Sequence, residues 1–346
     1  MATDRLEIEY TACALCGAND YAPLFSVAVG QAVFGIVRCR HCGLVYLNPR
    51  PSPATAMEYY PPDYGAHSPL PGKLSFRERI KLLALERDKR CGIKGTILRQ
   101  LGNLVALRVG LDVRYIPEGR LLDIGCGNGH SVRLYQLAGW DAWGVEPNEA
   151  AARYAQAAGL QVLVGTLEQA RFPPDYFDVV TMYQVLEHVA SPKDLLAEVY
   201  RVLKPGGQLL ISVPNIECYD FGIFQAEWFP LEVPRHFYHF SLDTLSQFLC
   251  QAGFLIEKVK SQYMLLTCTW NDYRRLIKRL VRWLQDGEIS WHEALLRLLI
   301  VFVRGFVFKP VAFAISRNNR VRRFAYFLNF YARKPDFDDL TRGENA

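Results

Sequence analysis

The central part of this 346-residue chain predicts an α/β fold built on a mainly parallel sheet. From Gly119 onward, short apolar runs alternate with segments of helical periodicity, which is typical of parallel strands joined by helices. A glycine-rich turn, Gly125-Cys-Gly-Asn-Gly129, follows the first apolar run, and glycine lets the backbone turn sharply and approach a ligand. Glu146 ends the second run, at the position where an acidic side chain can accept both hydroxyls of a ribose. A ligand that carries a ribose is therefore expected at this edge of the sheet.

The helices of this region are predicted from the residues that typically begin and end a helix. Asn148 and Ser241 are predicted helix caps, and Ser191-Pro192 opens a helix in the favoured order of cap and proline. Lys204-Pro-Gly-Gly207 is expected to end that helix. The last strand is expected to return antiparallel to the others. Strands are predicted at residues 120–124, 142–145, 161–164, 177–183, 208–213, 255–259 and 327–332, with helices at 131–138, 148–159, 191–204 and 241–253.

Two C-x-x-C pairs precede the α/β region. Cys13-Ala-Leu-Cys16 and Cys39-Arg-His-Cys42 are separated by twenty-two residues, and a glycine follows each pair. Four thiolates in two tight turns predict a tetrahedral site for a structural zinc ion, and the alternative is two reduced, buried cysteine pairs. Such an ion would hold together a segment that is too small to fold by burial alone.

Composition sets the broad class of the protein. Half of the residues are apolar and 22 % are charged, which favours a globular chain over a disordered one. The first residues, Met-Ala-Thr-Asp-Arg-Leu-Glu, lack an apolar signal core, and the odd number of cysteines favours a reducing compartment over a disulfide framework. We therefore expect a cytoplasmic protein.

Positive charge is concentrated in two segments, although the formal net charge is only +5. Residues 73–114 contain eleven Lys and Arg against four Asp and Glu, and residues 271–335 contain fourteen against four. This asymmetry indicates an anionic partner, either a membrane surface or a nucleic acid. Solvated helix faces are the alternative.

The second basic segment predicts an amphipathic helix followed by a more apolar one. At residues 295–316, fourteen Leu, Ile, Val and Phe contribute about −4 to −8 kcal/mol of insertion free energy, against about +7 to +11 kcal/mol for three cations. Residues 273–316 are therefore expected to lie peripherally on the inner face of an anionic membrane, or else to cover the sheet or the partner in a homodimer. The apolar stripe of the first helix is Tyr273, Leu276, Ile277, Leu280, Val281 and Leu284, opposed by Arg274, Arg275, Lys278, Arg279 and Arg282.

Asp123 before the glycine turn, and Glu146-Pro147 after it, resemble the cofactor motifs of class I S-adenosylmethionine-dependent methyltransferases. Four later stretches are also similar to sequence motifs of that family. The resemblance implies a Rossmann-like, seven-stranded sheet with helices on both faces, and S-adenosylmethionine as the cofactor. These stretches are Phe177-Asp-Val-Val180, Val185-Leu-Glu-His-Val189, Leu203-Lys-Pro-Gly-Gly207 and Val213-Pro-Asn215.

The cysteine pairs also form part of a recognisable layout. With Gly43-Leu-Val-Tyr-Leu-Asn-Pro-Arg-Pro51 and then Tyr59, Tyr60 and Tyr64, they look like the zinc-binding module of certain methyltransferases of sugar or cell-envelope glycan biosynthesis. The tyrosines are expected to cover the cofactor pocket or to pack against the core. The predicted order is a zinc module at 1–60, a linker with basic helices at 61–118, the methyltransferase core at 119–262, a helical insertion at 263–322, the last strand at 323–335 and a tail at 336–346.

The resemblance also implies roles for individual residues. The glycines would pass beneath the amino-acid part of the cofactor while Asp123 orients their loop, and Glu146 would accept the ribose hydroxyls. Thr166 and Leu167 would contact adenine, and Gln184 and Val185 would line the side nearest the sulfonium. The implied cofactor-binding residues are Asp123, Gly125, Cys126, Gly127, Asn128, Gly129, Glu146, Pro147, Thr166, Leu167, Gln184 and Val185.

The methyl transfer that the resemblance implies requires the nucleophile to be aligned with the methyl carbon. It also requires a base if the nucleophile is an alcohol. Glu187 and His188 follow the fourth strand, while Arg235 and His236 lie in a segment that resembles the family's active-site segment after strand five. His236 is the favoured base and His188 the second candidate, and the alternative is that both are structural. Ubiquinone-type O-methyltransferases carry a Glu where this chain has Gln184, which argues against a catalytic metal ion.

The expected activity is methylation, at an oxygen atom, of a small-molecule or lipid-linked glycan-type acceptor. A quinone-type O-methyltransferase is one alternative. An RNA methyltransferase that grips nucleic acid through the zinc module and basic helices is another, although the Asn-Pro-Pro-Tyr motif of nucleobase-amine enzymes is missing. The third alternative is a protein that binds the cofactor but has no catalytic activity.

Overall fold

The computed structural model describes residues 7–53, 55–60, 68–86, 113, 115–262, 267–286, 290–303 and 325–339. It divides into two compact units. The cysteine unit comprises residues 1–57, 214–245 and 260–328, and the sheet unit comprises residues 58–213, 246–259 and 329–346. Residues 214–245, which the sequence assigns to the core, thus group with the N-terminal segment.

Strands and helices are numbered in chain order. The strands are β1 (Ile8–Glu9), β2 (Tyr21–Val29), β3 (Ala32–Cys39), β4 (Val45–Leu47), β5 (Arg50–Pro51), β6 (Arg120–Ile124), β7 (Asp141–Glu146), β8 (Gln161–Val164), β9 (Phe177–Tyr183), β10 (Leu203–Pro214), β11 (Tyr238–His239), β12 (Leu255–Gln262) and β13 (Phe327–Arg333). The helices are α1 (Phe76–Glu86), α2 (His130–Leu137), α3 (Glu149–Ala157), α4 (Leu167–Ala170), α5 (Pro192–Val202), α6 (Tyr219–Phe224), α7 (Leu242–Gln251), α8 (Thr267–Gln285) and α9 (Trp291–Phe302).

The large sheet has seven strands in the order β12-β13-β10-β9-β6-β7-β8. Strands β6 to β10 pair in parallel, so the chain runs from β6 outward in one direction to β8 and in the other to β10. Right-handed crossovers then place the connecting helices on opposite faces of the sheet. This arrangement confirms the predicted Rossmann-like fold, and its topological switch point lies between β6 and β9.

The last strand is antiparallel, as predicted. Near one end of the pair, the Gly206 N–H donates to the Lys334 carbonyl and the Lys334 N–H donates to the Gly207 carbonyl. Near the other end, the Asn215 N–H donates to the Tyr326 carbonyl. Residue numbers therefore rise along β10 while they fall along β13. An antiparallel strand inserted between β10 and β12 makes the sheet mixed.

Two of the predicted caps are confirmed and one boundary differs. The Asn148 side chain accepts the Ala151 N–H at 2.9 Å, and the Ser241 hydroxyl accepts the Thr244 N–H at 3.1 Å. Ser191 makes no such side-chain bond, so Pro192 alone starts α5 with its fixed φ. The stretch Lys204-Pro-Gly-Gly207 opens β10 instead of forming a separate turn, and the strand register shifts between Leu203 and Gln208.

The cysteine unit contains a second sheet, with the order β11-β4-β3-β2 and antiparallel pairing throughout. Phe34, Ile36, Tyr46 and Leu47 are fully buried on it. Its edge strand β11 comes from a segment almost two hundred residues after β4, and Tyr238 pairs with Tyr46. The small N-terminal module therefore contains a strand that lies in sequence between β10 and β12 of the large sheet.

The two basic segments are described in part. Helix α1 lies within the predicted linker, whose residues 87–112 are outside the described part of the chain, as is Tyr64. In the C-terminal insertion, α8 and α9 are described and residues 304–324 are not. No described helix combines the length and the apolar character needed to cross a membrane.

Candidate active site and cysteine cluster

The glycine turn after β6 has the conformation and the close contacts that require glycine. Gly125, Gly127 and Gly129 have φ values of 65°, 55° and 83°, in the left-handed region. A Cβ atom at Gly125 would lie 2.6 Å from Val185 Cγ2, and one at Gly129 would lie 2.6 Å from Leu160. Three of the five loop residues thus have no side chain, and a ligand can lie against their backbone at the carboxyl end of β6.

Glu146 at the end of β7 is tied directly to this loop. Its Oε2 accepts the Gly127 N–H and its Oε1 accepts the Asn148 N–H, both at 2.8 Å. The side chain is only 7 % exposed. Each carboxylate oxygen has a second lone pair, so two backbone donors fix the carboxylate and leave it able to accept hydroxyls.

Asp123 lies beneath the loop and bonds to a neighbouring strand. Its Oδ1 accepts the Thr181 hydroxyl at 2.6 Å, between residues that face each other in the β6–β9 pair. Burial, with a smaller contribution from the Glu146 charge, raises the pKa of Asp123 to about 7. The hydroxyl bond acts in the opposite direction. The described contact thus joins β6 to β9, whereas the sequence assigns Asp123 to orienting the loop.

Thr166 and Leu167 follow β8, next to the end of β7. The Gly165 N–H donates to the Glu146 carbonyl, so the β7 and β8 ends are adjacent. The Thr166 N–H donates to the Gln169 side chain at 2.9 Å, which caps α4. Thr166 is exposed at this edge, whereas the Leu167 side chain is buried in the core. Only the backbone of Leu167 could face a ligand.

Gln184 and Val185 follow β9, across the switch point from the glycine loop. Gln184 has a φ of 55°, and both its backbone N–H and its side-chain amide donate to the Ser212 carbonyl, at 2.9 and 3.2 Å. This turn directs Val185 toward Gly125. The predicted cofactor residues at the ends of four strands, β6 to β9, thereby meet at one edge of the sheet.

Glu187 and His188 form a short 3-10 turn immediately afterward. Glu187 is fully buried, and the Nδ1 atom of the half-buried His188 lies 2.9 Å from the Tyr60 hydroxyl. Tyr60 is one of the tyrosines expected over the cofactor pocket, and its described contact is with a candidate catalytic residue.

Arg235 and His236 lie in the cysteine unit. His236 is 4 % exposed, and its Nδ1 lies 2.8 Å from the Pro230 carbonyl. A carbonyl can only accept, so Nδ1 carries the proton and the neutral ring has its lone pair on Nε2. Glu232 Oε2 lies 3.7 Å from Nε2 and accepts a bond of 2.8 Å from Arg235. The segment thus holds an imidazole in the tautomer that can act as a base.

The four cysteines of the two pairs converge. Their sulfur atoms lie within 4.8 Å of one another, with Cys13 3.4 Å from Cys42 and Cys16 3.5 Å from Cys39. Each pair forms the same turn, in which a glycine N–H donates to the carbonyl of the first cysteine. Tetrahedral zinc with bonds of about 2.3 Å needs sulfur separations of roughly 3.8 Å, so the donor set fits that ion. Burial opposes ionisation of Cys39, but the backbone N–H groups of Cys42 and His41 lower its pKa to about 7.

Sequence reasoning missed three residues of these sites. Thr181 lies inside an apolar strand, and only the register of the β6–β9 pair reveals its bond to Asp123. Glu232 and Pro230, which orient Arg235 and His236, carried no recognisable motif. The one sequence signal that could have indicated the contact between Glu232 and His236 is their spacing of four residues.

Comparison with known proteins adds to this geometry. Residues 86–259, half of the chain, match the model of a methyltransferase-domain family. A ubiquinone biosynthesis O-methyltransferase of Pseudomonas putida is 34 % identical over 148 residues, which cover 40 % of this chain and 64 % of that protein. One from Pseudomonas fluorescens is 31 % identical over 176 residues, covering 46 % and 76 %. The chain thus spans less than two thirds of the first of these relatives.

A solved structure provides a further comparison. It is an S-adenosylmethionine-dependent methyltransferase from Thermotoga maritima, with a TM-score of 0.42 and 21 % identity. The match covers 75 % of this chain and 91 % of that protein.

Proposed function

The chain belongs to the family of class I S-adenosylmethionine-dependent methyltransferases, and from this premise we propose that it methylates a hydroxyl oxygen of a small-molecule or lipid-linked glycan-type acceptor. The observation that carries the proposal is the bond between the Glu146 carboxylate and the Gly127 N–H at the switch point of the sheet. This bond supports the proposal because it fixes a carboxylate that could accept ribose hydroxyls beside a loop in which three of the five residues are glycine.

The residues present fit the cofactor. Gly125 and Gly129 leave no room for a Cβ atom, so the loop backbone packs closely at the strand end. Glu146 retains accepting lone pairs, and Thr166 is exposed beyond the end of β8. Asp123 and residues 125–129, 146–147, 166–167 and 184–185 would hold the cofactor. When bound, S-adenosylmethionine supplies a methyl group on a positively charged sulfur atom.

The remaining task of the protein is to position the acceptor and to remove its proton. His236 is the favoured base, because its Nδ1 bond to Pro230 leaves the lone pair on Nε2. Nε2 of His236 would take up the hydroxyl proton of the acceptor. Glu232 would stabilise the resulting imidazolium, while Arg235 fixes the Glu232 carboxylate. Glu187 and His188 are the second set of candidates.

The second candidate function is a quinone-type O-methyltransferase, which the names of the two Pseudomonas relatives favour. Both candidates require a base for a hydroxyl and differ in the acceptor. Gln184 is a neutral amide bonded to Ser212, so it offers no carboxylate for a catalytic metal ion.

We also propose that Cys13, Cys16, Cys39 and Cys42 bind a structural zinc ion. The support is the fit of the four sulfur positions to tetrahedral coordination. All four ligand positions are taken by protein thiolates, so this ion would leave none open for catalysis. Thiolate ligands of this kind need a reducing compartment, so the zinc proposal goes together with a proposed cytoplasmic location.

Transfer of a labelled methyl group tests the proposal. The full chain is incubated with S-adenosylmethionine labelled in its methyl group and, separately, with sugars, lipid-linked glycans, phenolic quinone precursors and RNA. We expect label on a hydroxyl of one of the first two classes. Label on the phenols would select the quinone-type function and label on RNA the nucleic-acid function. Absence of S-adenosylmethionine binding by calorimetry would overturn the family-based proposal itself.

A further inference from the structure

Helix α9 exposes large apolar side chains along one face. Trp291 is 77 % exposed, Leu295 69 %, Leu299 57 % and Phe302 50 %. Their spacing of three to four residues aligns them along the helix. Ala294 is only 3 % exposed and marks the side that faces the protein. An aligned apolar row of this size on a surface indicates a binding face rather than isolated exposed residues.

Helix α8, which packs against α9, exposes a row of cations. Arg274, Lys278 and Arg282 are all exposed and are four residues apart, so they lie along one side of the helix. Exposed Ile277 and Val281 flank this row, and no acidic residue occurs between positions 274 and 285. The predicted apolar stripe is thus divided in the structure, with Leu280 buried and these two residues outside.

The adjacent side of α8 binds the segment that orients His236. Arg275 donates to the Phe229 carbonyl at 3.1 Å, and its guanidinium lies 4.7 Å from the centre of the Phe229 ring. Arg279 forms an ion pair with Glu227. Phe229 directly precedes Pro230, whose carbonyl accepts the His236 bond. The basic residues of this helix therefore divide into an inner, paired set and an outer, exposed row.

We propose that the outer faces of α8 and α9 bind the anionic surface of a lipid bilayer. Exposed cations attract acidic headgroups, while Leu, Phe and Trp side chains enter the boundary between headgroups and acyl chains. Glu293, the acidic residue of α9, is nine residues or about two and a half turns from Phe302, so it lies on the other side of the helix. On the proposed function, this surface would draw a lipid-linked acceptor.

Other occupants fit less well. Single-stranded nucleic acid is bound by aromatic rings that stack on successive bases. In the α9 row the two rings, Trp291 and Phe302, stand at opposite ends, and the aliphatic Leu295 and Leu299 lie between them. A second copy of the chain across a two-fold axis would bring the cation row opposite itself, which is repulsive. An anionic bilayer satisfies both the charge and the apolar row.

Vesicle flotation tests the proposal without requiring turnover. The full chain is mixed with vesicles of phosphatidylcholine alone, or of phosphatidylcholine with phosphatidylglycerol. We expect flotation with the second kind, weakening as salt is added. Reversal of the cation row should weaken partitioning at least about 100-fold, since each cation near an anionic surface contributes about fivefold. The reversed residues are Arg274→Glu, Lys278→Glu and Arg282→Glu.

A matched control carries the same change in net charge elsewhere. Lys73, Lys193 and Lys258 are also exposed, and their joint replacement by Glu should leave flotation nearly unchanged. Joint replacement of Leu295, Leu299 and Phe302 by Ser should abolish it at high salt. Calorimetry with S-adenosylmethionine on each variant reports the cofactor site independently, so failure of this proposal is separable from failure of the proposed function.

Three results would overturn the proposal. One is equal flotation with both kinds of vesicle, and another is equal loss in the two charge-reversal variants. The third is a wild-type dimer, measured by light scattering, that the Ser variant converts to a monomer while flotation persists. That result would assign the α9 face to a second copy of the chain.

Discussion

The Glu146 carboxylate accepts the backbone N–H of Gly127 at 2.8 Å, which joins the end of β7 to the glycine loop after β6. The same carboxylate accepts the Asn148 N–H at 2.8 Å and so also fixes the start of α3. A single side chain thus determines both the loop conformation and the position proposed for the ribose.

Replacement of Glu146 by Gln is expected to weaken S-adenosylmethionine binding roughly 10- to 100-fold, because charge-assisted hydrogen bonds contribute on the order of 1.5–3 kcal/mol. The amide can accept only one of the two backbone N–H groups, since its NH2 group would face the other. Calorimetric titration measures the affinity. Glu149→Gln is the control. This replacement removes the same charge at an exposed position on the neighbouring helix. An unchanged affinity in Glu146→Gln would contradict the proposed role.

The contact between Gly125 and Val185 can be tested by a double-mutant cycle. Gly125→Ala places a methyl group where only 2.6 Å separates it from Val185 Cγ2, at a φ of 65°. We expect at least a tenfold loss of cofactor affinity, and partial recovery when Val185→Ala is added. The coupling between the two changes should exceed about 1 kcal/mol. Simple additivity would mean that the backbone strain at Gly125, and not the contact, causes the loss.

The strands of the large sheet could be predicted because each apolar run ends at a glycine or a polar residue. The observed bounds of β6, β8 and β9 coincide with the predicted ones, and β7 differs by one residue at each end. Asp123 and Glu146 could be selected for the same reason, since a polar residue that ends a buried run lies at the ligand edge of a parallel sheet.

Other contacts in the structure could not be predicted, because no sequence pattern indicates them. Strand β11 has two residues, too few to show a period, and pairs with β4 almost two hundred residues away. In the sequence, Thr181 is an ordinary strand-forming residue. Its bond to Asp123 exists only because the register of the β6–β9 pair places the two residues opposite each other. Orientation of His236 depends on a main-chain carbonyl, which every residue possesses.

The cysteine cluster is expected to contain one zinc ion per chain, measured by elemental analysis of protein purified without added metal. Cys39→Ser should lower the zinc content and the unfolding temperature, because zinc binding and folding of such a module are coupled. Cys250→Ser, which changes an exposed free thiol, is the control and should alter neither quantity. A full zinc content in Cys39→Ser would show that the ion binds elsewhere.

His239 predicts a dependence of stability on pH. Burial lowers its pKa to about 3, against about 6.5 in the unfolded chain. Between these values the unfolded state binds more protons, so the free energy of unfolding falls as pH falls below 6.5, by roughly 2 kcal/mol at pH 5. His239→Phe should flatten this dependence in urea titrations at pH 5 and 7. His292→Phe, at an exposed position, should retain it, and an equal slope in all three proteins would reject the assignment.

The role of His236 can be separated from a structural role once the labelling experiment has supplied an acceptor. His236→Gln is expected to lower kcat by about 10²- to 10⁴-fold, with the affinity for S-adenosylmethionine unchanged, because proton removal from the hydroxyl is lost. His188→Gln should have a smaller effect and should resemble Tyr60→Phe, which removes the partner of its Nδ1. The decisive measurement compares acceptors whose hydroxyls differ in acidity. A more acidic hydroxyl needs less help from a base, so the defect of His236→Gln should shrink with it, whereas loss of a purely structural residue would reduce turnover of all acceptors equally.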